Sequence, residues 1–302
     1  MNQNSLVVKA NRLVQASYKL ELVEQRVMEM AIAWSRSHAE NLTTDTWIEL
    51  SVAEYVDLYQ SDPKSAYRQL KEAAKNLRQR TLLIEGIDVK TGKPSILETG
   101  WVNSILYVPD AGLIRIQFSK VIVPCISQLN EQFTSFKIKE IVGLNSNYAI
   151  RLYELLKQYQ TLKSRYFALA ELREYLEATD SAYDRIDNLK SRVVDKAVTQ
   201  INACTDLNIS YQAHRKGRFI VGLEFTIVAK LPSKKPSISK KPSSKSSQIG
   251  AGLSLAENAM LKELSARTGR SNVELLLEAR AAVGEAELFL WLDTQLKAAK
   301  TT

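Results

Sequence analysis

The 302-residue chain has few of the residues on which metal and disulfide chemistry depend, with two cysteines and two histidines. Cys125 and Cys204 stand apart, without the CxxC spacing of a metal or redox pair. His38 and His214 do not form the histidine cluster that metal-dependent strand cleavage requires. The sequence therefore predicts two buried free thiols, no metal and no cofactor, and it argues against a nicking enzyme of the rolling-circle type.

Long apolar runs are also missing. No stretch approaches the roughly 20 apolar residues that are needed to cross a bilayer. Residues 1–4 lack the positive charge and the apolar segment of a secretory signal. The sequence therefore predicts a cytoplasmic location and no membrane partner.

Catalytic motifs are equally scarce. The segment 217–222 has the glycine spacing of a phosphate loop, but Leu223 and Glu224 stand where lysine and a hydroxyl residue are needed to hold phosphate and magnesium. Glu171 and Glu174 are spaced as on the solvated face of a helix. We therefore expect that the protein is not an enzyme.

The charge of the chain is less informative than its total suggests. The formal net charge is +8, and the composition is 45% hydrophobic and 25% charged, which is ordinary for two globular domains with an appendage. Residues 230–250 carry six lysines and no acid, whereas residues 1–229 carry 29 basic and 26 acidic side chains. A nucleic-acid partner is therefore indicated only if the basic groups share a face.

A repeated pattern is the most informative feature of the sequence. Residues 50–55 (LSVAEY) align with residues 167–172 (FALAEL), and Leu70-Lys71 aligns with Leu189-Lys190. Each copy follows the order helix, short strand, helix, basic helix and basic hairpin, and such a period marks a duplicated fold unit. The pattern predicts an α+β protein with two tandem winged-helix domains, each a helix-turn-helix followed by a β-hairpin wing, and a helical C-terminal tail.

The first copy begins with an amphipathic helix over 20–37. Its apolar stripe at three- and four-residue spacing comprises Leu20, Val23, Val27, Met30 and Trp34. Such a stripe fits either a dimeric zipper seam or a helix buried in its own domain, and the second is favoured. A strand over 47–50 and a helix over 52–59 are predicted to follow.

A basic helix after Asp62-Pro63 completes the first helix-turn-helix. The aspartate and proline suit the N-cap and the first turn of a helix, and neither glycine nor proline interrupts residues 64–85. The helix is predicted to carry its cations on one face, namely Lys64, Arg68, Lys71, Lys75 and Arg78. Strands over 81–89 and 95–108, with a turn at 90–94, are predicted as the first wing, and a further strand over 113–118 follows.

The second copy repeats this order. A helix over 148–160 with Ser146 as its cap precedes a strand over 165–167 and helices over 168–178 and 185–204. Strands over 207–213 and 219–229 flank the basic turn 214–218, which is the predicted second wing. The cations of the last helix, Arg185, Lys190, Arg192 and Lys196, do not form a clean stripe.

The domain boundaries follow from changes in composition. We expect winged-helix domains over 1–142 and 143–230, a disordered Lys/Ser/Pro linker over 231–252 and a helical appendage over 253–302. Two helices, over 255–268 and 272–300, are predicted for the appendage. A role in binding a partner is expected for this tail rather than an activity of its own.

The candidate DNA contacts are the exposed polar and basic side chains on the two basic helices and the two wings. Such side chains are the ones that contact phosphates, which position a protein on DNA, and base edges, through which it reads the sequence. The candidates in the first copy are Lys64, Ser65, Tyr67, Arg68, Lys71, Lys75, Arg78, Lys90 and Lys93. Those in the second copy are Asn188, Lys190, Ser191, Arg192, Arg215, Lys216 and Arg218. An ordinary solvated helix face remains the alternative.

Three segments resemble one known family. They are residues 7–14 with 24–26, residues 146–159 with the run RLYELL at 151–156, and residues 189–207. Over about residues 5–229 the chain resembles the twin winged-helix replication initiators of iteron-bearing bacterial plasmids, and the RLYELL run is the most specific part.

That resemblance implies binding to direct repeats in double-stranded plasmid origin DNA, opening of an adjacent AT-rich segment, and recruitment of the host initiator DnaA and the replicative helicase. It also implies dimers that repress the protein's own gene through an interface on the first winged helix, monomers that initiate, and a second winged helix that reads the most conserved bases. A transcriptional regulator that does not melt DNA is the alternative function. The tail after residue 230 lies outside the resemblance.

Overall fold

The structure is a computed structural model that describes residues 2–38, 41–88, 90–127, 132–230 and 263–265, and Leu275. The chain divides into two compact units, residues 1–233 and 234–302. Of the predicted tail, Glu263, Leu264, Ser265 and Leu275 are described, and they are helical. The predicted linker and the rest of the two tail helices lie outside the described residues, so the domain boundaries stay predictions.

The elements follow the predicted order closely. An N-terminal segment contains β1 (Leu6–Ala10), α1 (Asn11–Val14) and β2 (Ser17–Tyr18). The first winged helix contains α2 (Leu22–His38), β3 (Ile48–Ser51), α3 (Val52–Tyr59), α4 (Pro63–Gln79), β4 (Thr81–Ile87), β5 (Pro94–Gly100), β6 (Val102–Val108) and β7 (Leu113–Phe118). A connection contains α5 (Ile122–Ser127), β8 (Phe133–Lys137) and α6 (Lys139–Val142). The second winged helix contains α7 (Asn147–Lys157), β9 (Ser164–Ala168), α8 (Leu169–Tyr175), α9 (Ile186–Leu189), a π-helical segment (Lys190–Val194), α10 (Asp195–Cys204), β10 (Leu207–Lys216) and β11 (Phe219–Ala229).

The sheet topology confirms the duplication. One sheet has the strand order β3-β7-β6 and another has the order β10-β11-β9, so in each copy the strand before the second helix pairs with the last strand. Strand β3 ends at Ser51 where α3 begins, and β9 ends at Ala168 where α8 begins. Leu50 and Phe167, aligned in the sequence, are both 1% exposed. The two copies therefore bury matching positions in matching elements.

The predicted first hairpin is present, with Thr81–Ile87 paired to Pro94–Gly100, but it is not the wing that matches the second copy. The predicted strand over 95–108 is broken at Trp101, whose fully buried ring meets the Tyr18 ring edge to face at 4.8 Å. Residues before the break form β5, in a sheet of order β2-β4-β5, whereas those after it form β6, in the sheet that matches the second copy. The hairpin that carries Lys90 and Lys93 is therefore an additional one, and the first wing is β6–β7.

The core of the described residues is one apolar cluster that runs through both winged helices. Helix α2 lies inside it, with Val27 and Met30 fully buried, which confirms a helix buried in its own domain rather than a zipper seam. Cys125 is buried as expected. Cys204 is exposed, contrary to the prediction, because it is the last residue of α10 rather than part of the helix's apolar side.

Candidate nucleic-acid interface

Helix α4 presents its cations to solvent. The Asp62 carboxylate accepts a hydrogen bond from the Lys64 amide nitrogen at 3.2 Å, and Pro63 occupies the first turn, so the predicted start is confirmed. Its apolar side is buried, namely Ala66, Leu70, Ala73, Ala74 and Leu77. The opposite face is exposed and carries Lys64, Arg68, Lys71, Lys75 and Arg78. The side chains that could meet phosphates thus share one accessible surface.

Ser65 and Tyr67 face inward more than expected. The Ser65 hydroxyl donates to the Asp62 carbonyl oxygen at 3.3 Å and accepts from the Gln69 amide at 2.9 Å. Tyr67 is partly buried and packs against the core. Both side chains therefore support the start of α4, and the cations are the groups that project from it.

The second recognition helix, residues 186–204, contains a π-helical turn between α9 and α10. A π turn adds a residue to one helical turn, so side chains beyond it shift around the axis relative to a 100° wheel. The turn itself carries Lys190, Ser191 and Arg192, so it lies within the predicted contact surface.

The four predicted contacts on this helix have different surroundings. The Asn188 amide donates to the Ala182 carbonyl oxygen at 2.8 Å, and the Ser191 hydroxyl donates to the Asp187 carbonyl oxygen at 2.8 Å. The Lys190 ammonium lies 5.8 Å from the centre of the Tyr211 ring. Arg192 is exposed. Arg192 is therefore the exposed cation of this set.

The second wing is a long hairpin with a basic tip. Strands β10 and β11 pair from Leu207–Ala229 to Lys216–Phe219, and Gly217 closes the turn with φ +61°, a value that favours glycine. Arg215, Lys216 and Arg218 are all exposed at this tip. The hairpin is not the strand-to-helix turn of a phosphate loop, which agrees with the rejection of a nucleotide site.

Lys90 and Lys93 are also exposed, at the tip of the additional hairpin β4–β5. The first wing, in contrast, turns through a short 3-10 helix, Pro109–Ala111, that contains Asp110 and no cation. The two copies therefore differ. The first copy has a basic helix and a wing tip that carries one acid and no cation, whereas the second copy has a basic wing tip.

A buried charge cluster, formed by Lys9, Tyr18, Glu29, Arg151 and Glu154, was missed by the sequence analysis. The Lys9 ammonium lies 2.5 Å from a Glu29 carboxylate oxygen and 2.6 Å from one of Glu154. The Arg151 guanidinium donates to Glu154 at 3.1 Å and to the Tyr18 hydroxyl at 2.6 Å. The cluster joins β1, β2 and α2 to α7, which packs against α10 of the second winged helix. It gives the RLYELL run a physical role, since Arg151 and Glu154 belong to that run.

Burial and neighbouring charges move the pKa values of these groups in different directions. Burial alone would lower the pKa of Lys9, but the Glu154 and Glu29 carboxylates outweigh it and raise that pKa. Burial would raise the pKa of Glu154, but the Lys9 and Arg151 cations outweigh it and the pKa is lowered. Burial raises the pKa of Glu29 to about 8, because Lys9 offsets it only in part and Glu154 adds to it. Burial thus keeps the Glu29 carboxyl protonated to a higher pH than an ordinary glutamate.

Stability is expected to fall as pH rises from about 5 to 8 because of Glu29. Its pKa in the folded state, about 8, lies above the ordinary value of 4.5, so the folded chain keeps a proton that the unfolded chain has lost. Relative to Glu29→Gln, the wild type should lose on the order of 3 kcal/mol of unfolding free energy across this range. Urea unfolding of both proteins at a series of pH values measures the difference, and parallel curves would contradict the assignment.

Other kinds of site find no support in the described residues. No group of three or more potential ligands among them could hold a metal ion. None of their helices is both long enough and apolar enough to pass through a bilayer.

Two tandem winged helices, each with exposed cations on the helix or hairpin expected to face a duplex, define a twin winged-helix DNA-binding protein. The chain belongs to the initiator replication protein family, whose first winged-helix model (Initiator Replication protein, WH1) matches residues 6–157. The model of the second winged helix (Initiator Rep protein, WH2) matches residues 168–227.

Relatives agree with this assignment. The chain is 29% identical over 259 residues to the PI protein of Escherichia coli, covering 76% of this chain and 84% of that protein. It is 25% identical over 234 residues to an uncharacterized 27.6 kDa protein of Escherichia coli, covering 74% of this chain and 95% of that one. A solved structure of the Pi initiator protein in complex with iteron DNA is similar with a TM-score of 0.64 and 27% identity, covering 76% of this chain and 99% of that chain.

Proposed function

We propose that the protein initiates plasmid replication by binding direct repeats at the plasmid origin with both winged helices. The observation that carries this proposal is the position of the exposed cations: they lie on α4, on the second recognition helix and at the tip of the second wing. These are the elements with which winged helices contact a major groove and its flanking phosphates. The Pi initiator protein, similar over most of its length, binds iteron DNA, which supports direct repeats as the target.

The mode of action proposed is binding rather than catalysis. In the cytoplasm of a plasmid-bearing bacterium, the bound protein would promote opening of an adjacent AT-rich segment and recruit DnaA and the replicative helicase. These steps need a shaped, charged surface and no reactive side chain. The tail over 253–302 is proposed as a partner-binding appendage.

Self-association is proposed to use the additional hairpin of the first winged helix. Strand β5 is the edge of its sheet, and an unpaired strand edge is a template for pairing with a second copy. Ile87 and Ile96 beside this edge are 68% and 67% exposed, and Leu97 is 47% exposed. A dimer formed here would repress the protein's own gene, and the monomer would initiate.

Arg192→Ala is expected to relax base preference at one position of the repeat, because a bidentate arginine–guanine contact discriminates by about 1–3 kcal/mol. Competition binding with single-base variants of the repeat measures the change. Lys137→Ala is the control, since it removes an exposed cation that lies on neither a recognition helix nor a wing. A uniform loss of affinity in Arg192→Ala, without altered base preference, would make Arg192 a phosphate contact instead.

Footprinting on the carrier plasmid tests the function as a whole. An initiator should protect tandem repeats and make a neighbouring AT-rich stretch reactive to a single-strand probe. Protection of an operator without such reactivity would identify a transcriptional regulator. A covalent protein–DNA adduct after incubation of supercoiled plasmid with magnesium would identify a nicking enzyme and overturn the proposal of binding without catalysis.

A further inference from the structure

The tip of the second wing exposes an aromatic ring. Phe219 is the first residue of β11, pairs across the hairpin with Lys216, and is 63% exposed. It follows the tip glycine, Gly217, by two positions. This apolar side chain lies at the end of a projecting hairpin, where it contributes little burial to the fold.

The fold does not use this ring. Phe219 is not part of the apolar core, and its neighbour in the described part of the chain is the Arg218 guanidinium, 4.9 Å from the ring centre. Farther along the hairpin, the next aromatic residue, Phe225, is fully buried among core residues. The position of Phe219 therefore calls for an explanation outside the folding of the monomer.

The charge around the ring indicates the chemistry of its partner. Arg215, Lys216 and Arg218 are exposed, and within the described residues none of them forms an ion pair. The nearby His214 is different, because its Nε2 lies 2.7 Å from a Glu224 carboxylate oxygen. An apolar ring surrounded by unpaired cations fits a DNA groove, where stacked base pairs lie between two negatively charged phosphate backbones.

The geometry points to Phe219 as an apolar wedge that enters the minor groove of the bound repeat and partly separates one base-pair step. Arg215, Lys216 and Arg218 hold the phosphates on either side. Inserted apolar side chains unstack and kink duplexes in this way. This inference rests on the proposed function, which places the second wing against the duplex. It assigns the two copies different roles, since the tip of the first wing has neither an aromatic residue nor a cation.

The experiment uses the full-length protein and the repeat duplex protected in footprinting, with 2-aminopurine replacing adenine at successive positions. Binding of the wild type should raise the fluorescence at one step beside the footprint of the wing. Phe219→Ala should abolish this rise and weaken binding about tenfold, the order of magnitude of one lost stacking contact. Phe219→Leu should retain part of the rise, because leucine also acts as a wedge.

Leu162→Ala is the matched control, since Leu162 is 69% exposed and lies outside the two wings. It should leave affinity and fluorescence unchanged, and the thermal melting of all three variants should match that of the wild type. Failure of the wild type to bind the repeat would refute the proposed function. If the wild type binds and Phe219→Ala has the same affinity and fluorescence, the wedge alone is refuted. The wedge is also refuted if Phe219→Ala loses affinity but the wild-type complex shows no rise in fluorescence at any step.

Discussion

Glu154→Leu is expected to lower the free energy of unfolding by about 3–5 kcal/mol, the usual effect of removing one partner from a buried ion pair. Glu154 is fully buried and accepts hydrogen bonds from Lys9 and Arg151. Without it, the two buried cations Lys9 and Arg151 have the single carboxyl of Glu29 as their counter-charge in the cluster. Urea unfolding measures the loss.

A matched variant separates this effect from the loss of any carboxylate. Glu49 forms an ion pair with Arg115 at 2.9 Å, and the two side chains are 39% and 38% exposed. Glu49→Leu should therefore cost about 0–1 kcal/mol, because exposed pairs contribute little. If Glu154→Leu proved no more destabilising than Glu49→Leu, the cluster would not be a significant source of stability.

The double variant Arg68→Ala with Lys71→Ala should weaken repeat binding at low salt and lower the slope of log K against log salt by about two units. The reason is that each protein cation bound to a phosphate releases roughly one counterion from the DNA, so the loss of two such cations means that about two fewer counterions are released. Both side chains are exposed on α4, and the Lys71 ammonium lies 5.3 Å from the centre of the Tyr107 ring on β6. Equilibrium binding to the footprinted repeat at several salt concentrations gives the slope.

The control carries the same change of net charge elsewhere. Lys120 and Lys137 are exposed but lie on neither a recognition helix nor a hairpin tip. Alanine at both positions should leave the slope near the wild-type value. Equal slopes in the two double variants would show that α4 does not touch the phosphates and that its cations are a solvated face.

Local signals made the duplication predictable. The helix over Val52–Tyr59 and the capped start at Asp62-Pro63 were predicted from nearby residues, and both are confirmed. The sheet that each strand joins could not be predicted, because an alternating pattern fits either sheet. The break at Trp101 depends on packing against Tyr18, which is distant in sequence. For the same reason the sequence identified the hairpin that carries Lys90 and Lys93 as the first wing.

Pairing between distant residues also hid the buried charge cluster. Lys9 lies 20 positions from Glu29 and 145 from Glu154, and an isolated lysine in an apolar strand gives no sign of its partners. The π-helical turn was hidden for another reason, since it depends on the backbone path rather than on residue type. The candidate DNA contacts remain predictions, but their exposure now separates projecting groups such as Arg192 from inward ones such as Tyr67.

One apolar core runs through both winged helices, so a protein that binds a repeat with both of them, as proposed, would hold the two halves of its binding site in a fixed rotational phase. Two winged helices joined by a flexible tether would bind half-sites at many separations. Two rigidly joined winged helices bind half-sites at the one separation that presents both grooves on the same side of the DNA helix. Inserting about 5 base pairs, half a helical turn, in the middle of a repeat would therefore leave one winged helix facing the wrong side. Under the proposed function, the length of each repeat in the origin would therefore stay constant even where its bases vary.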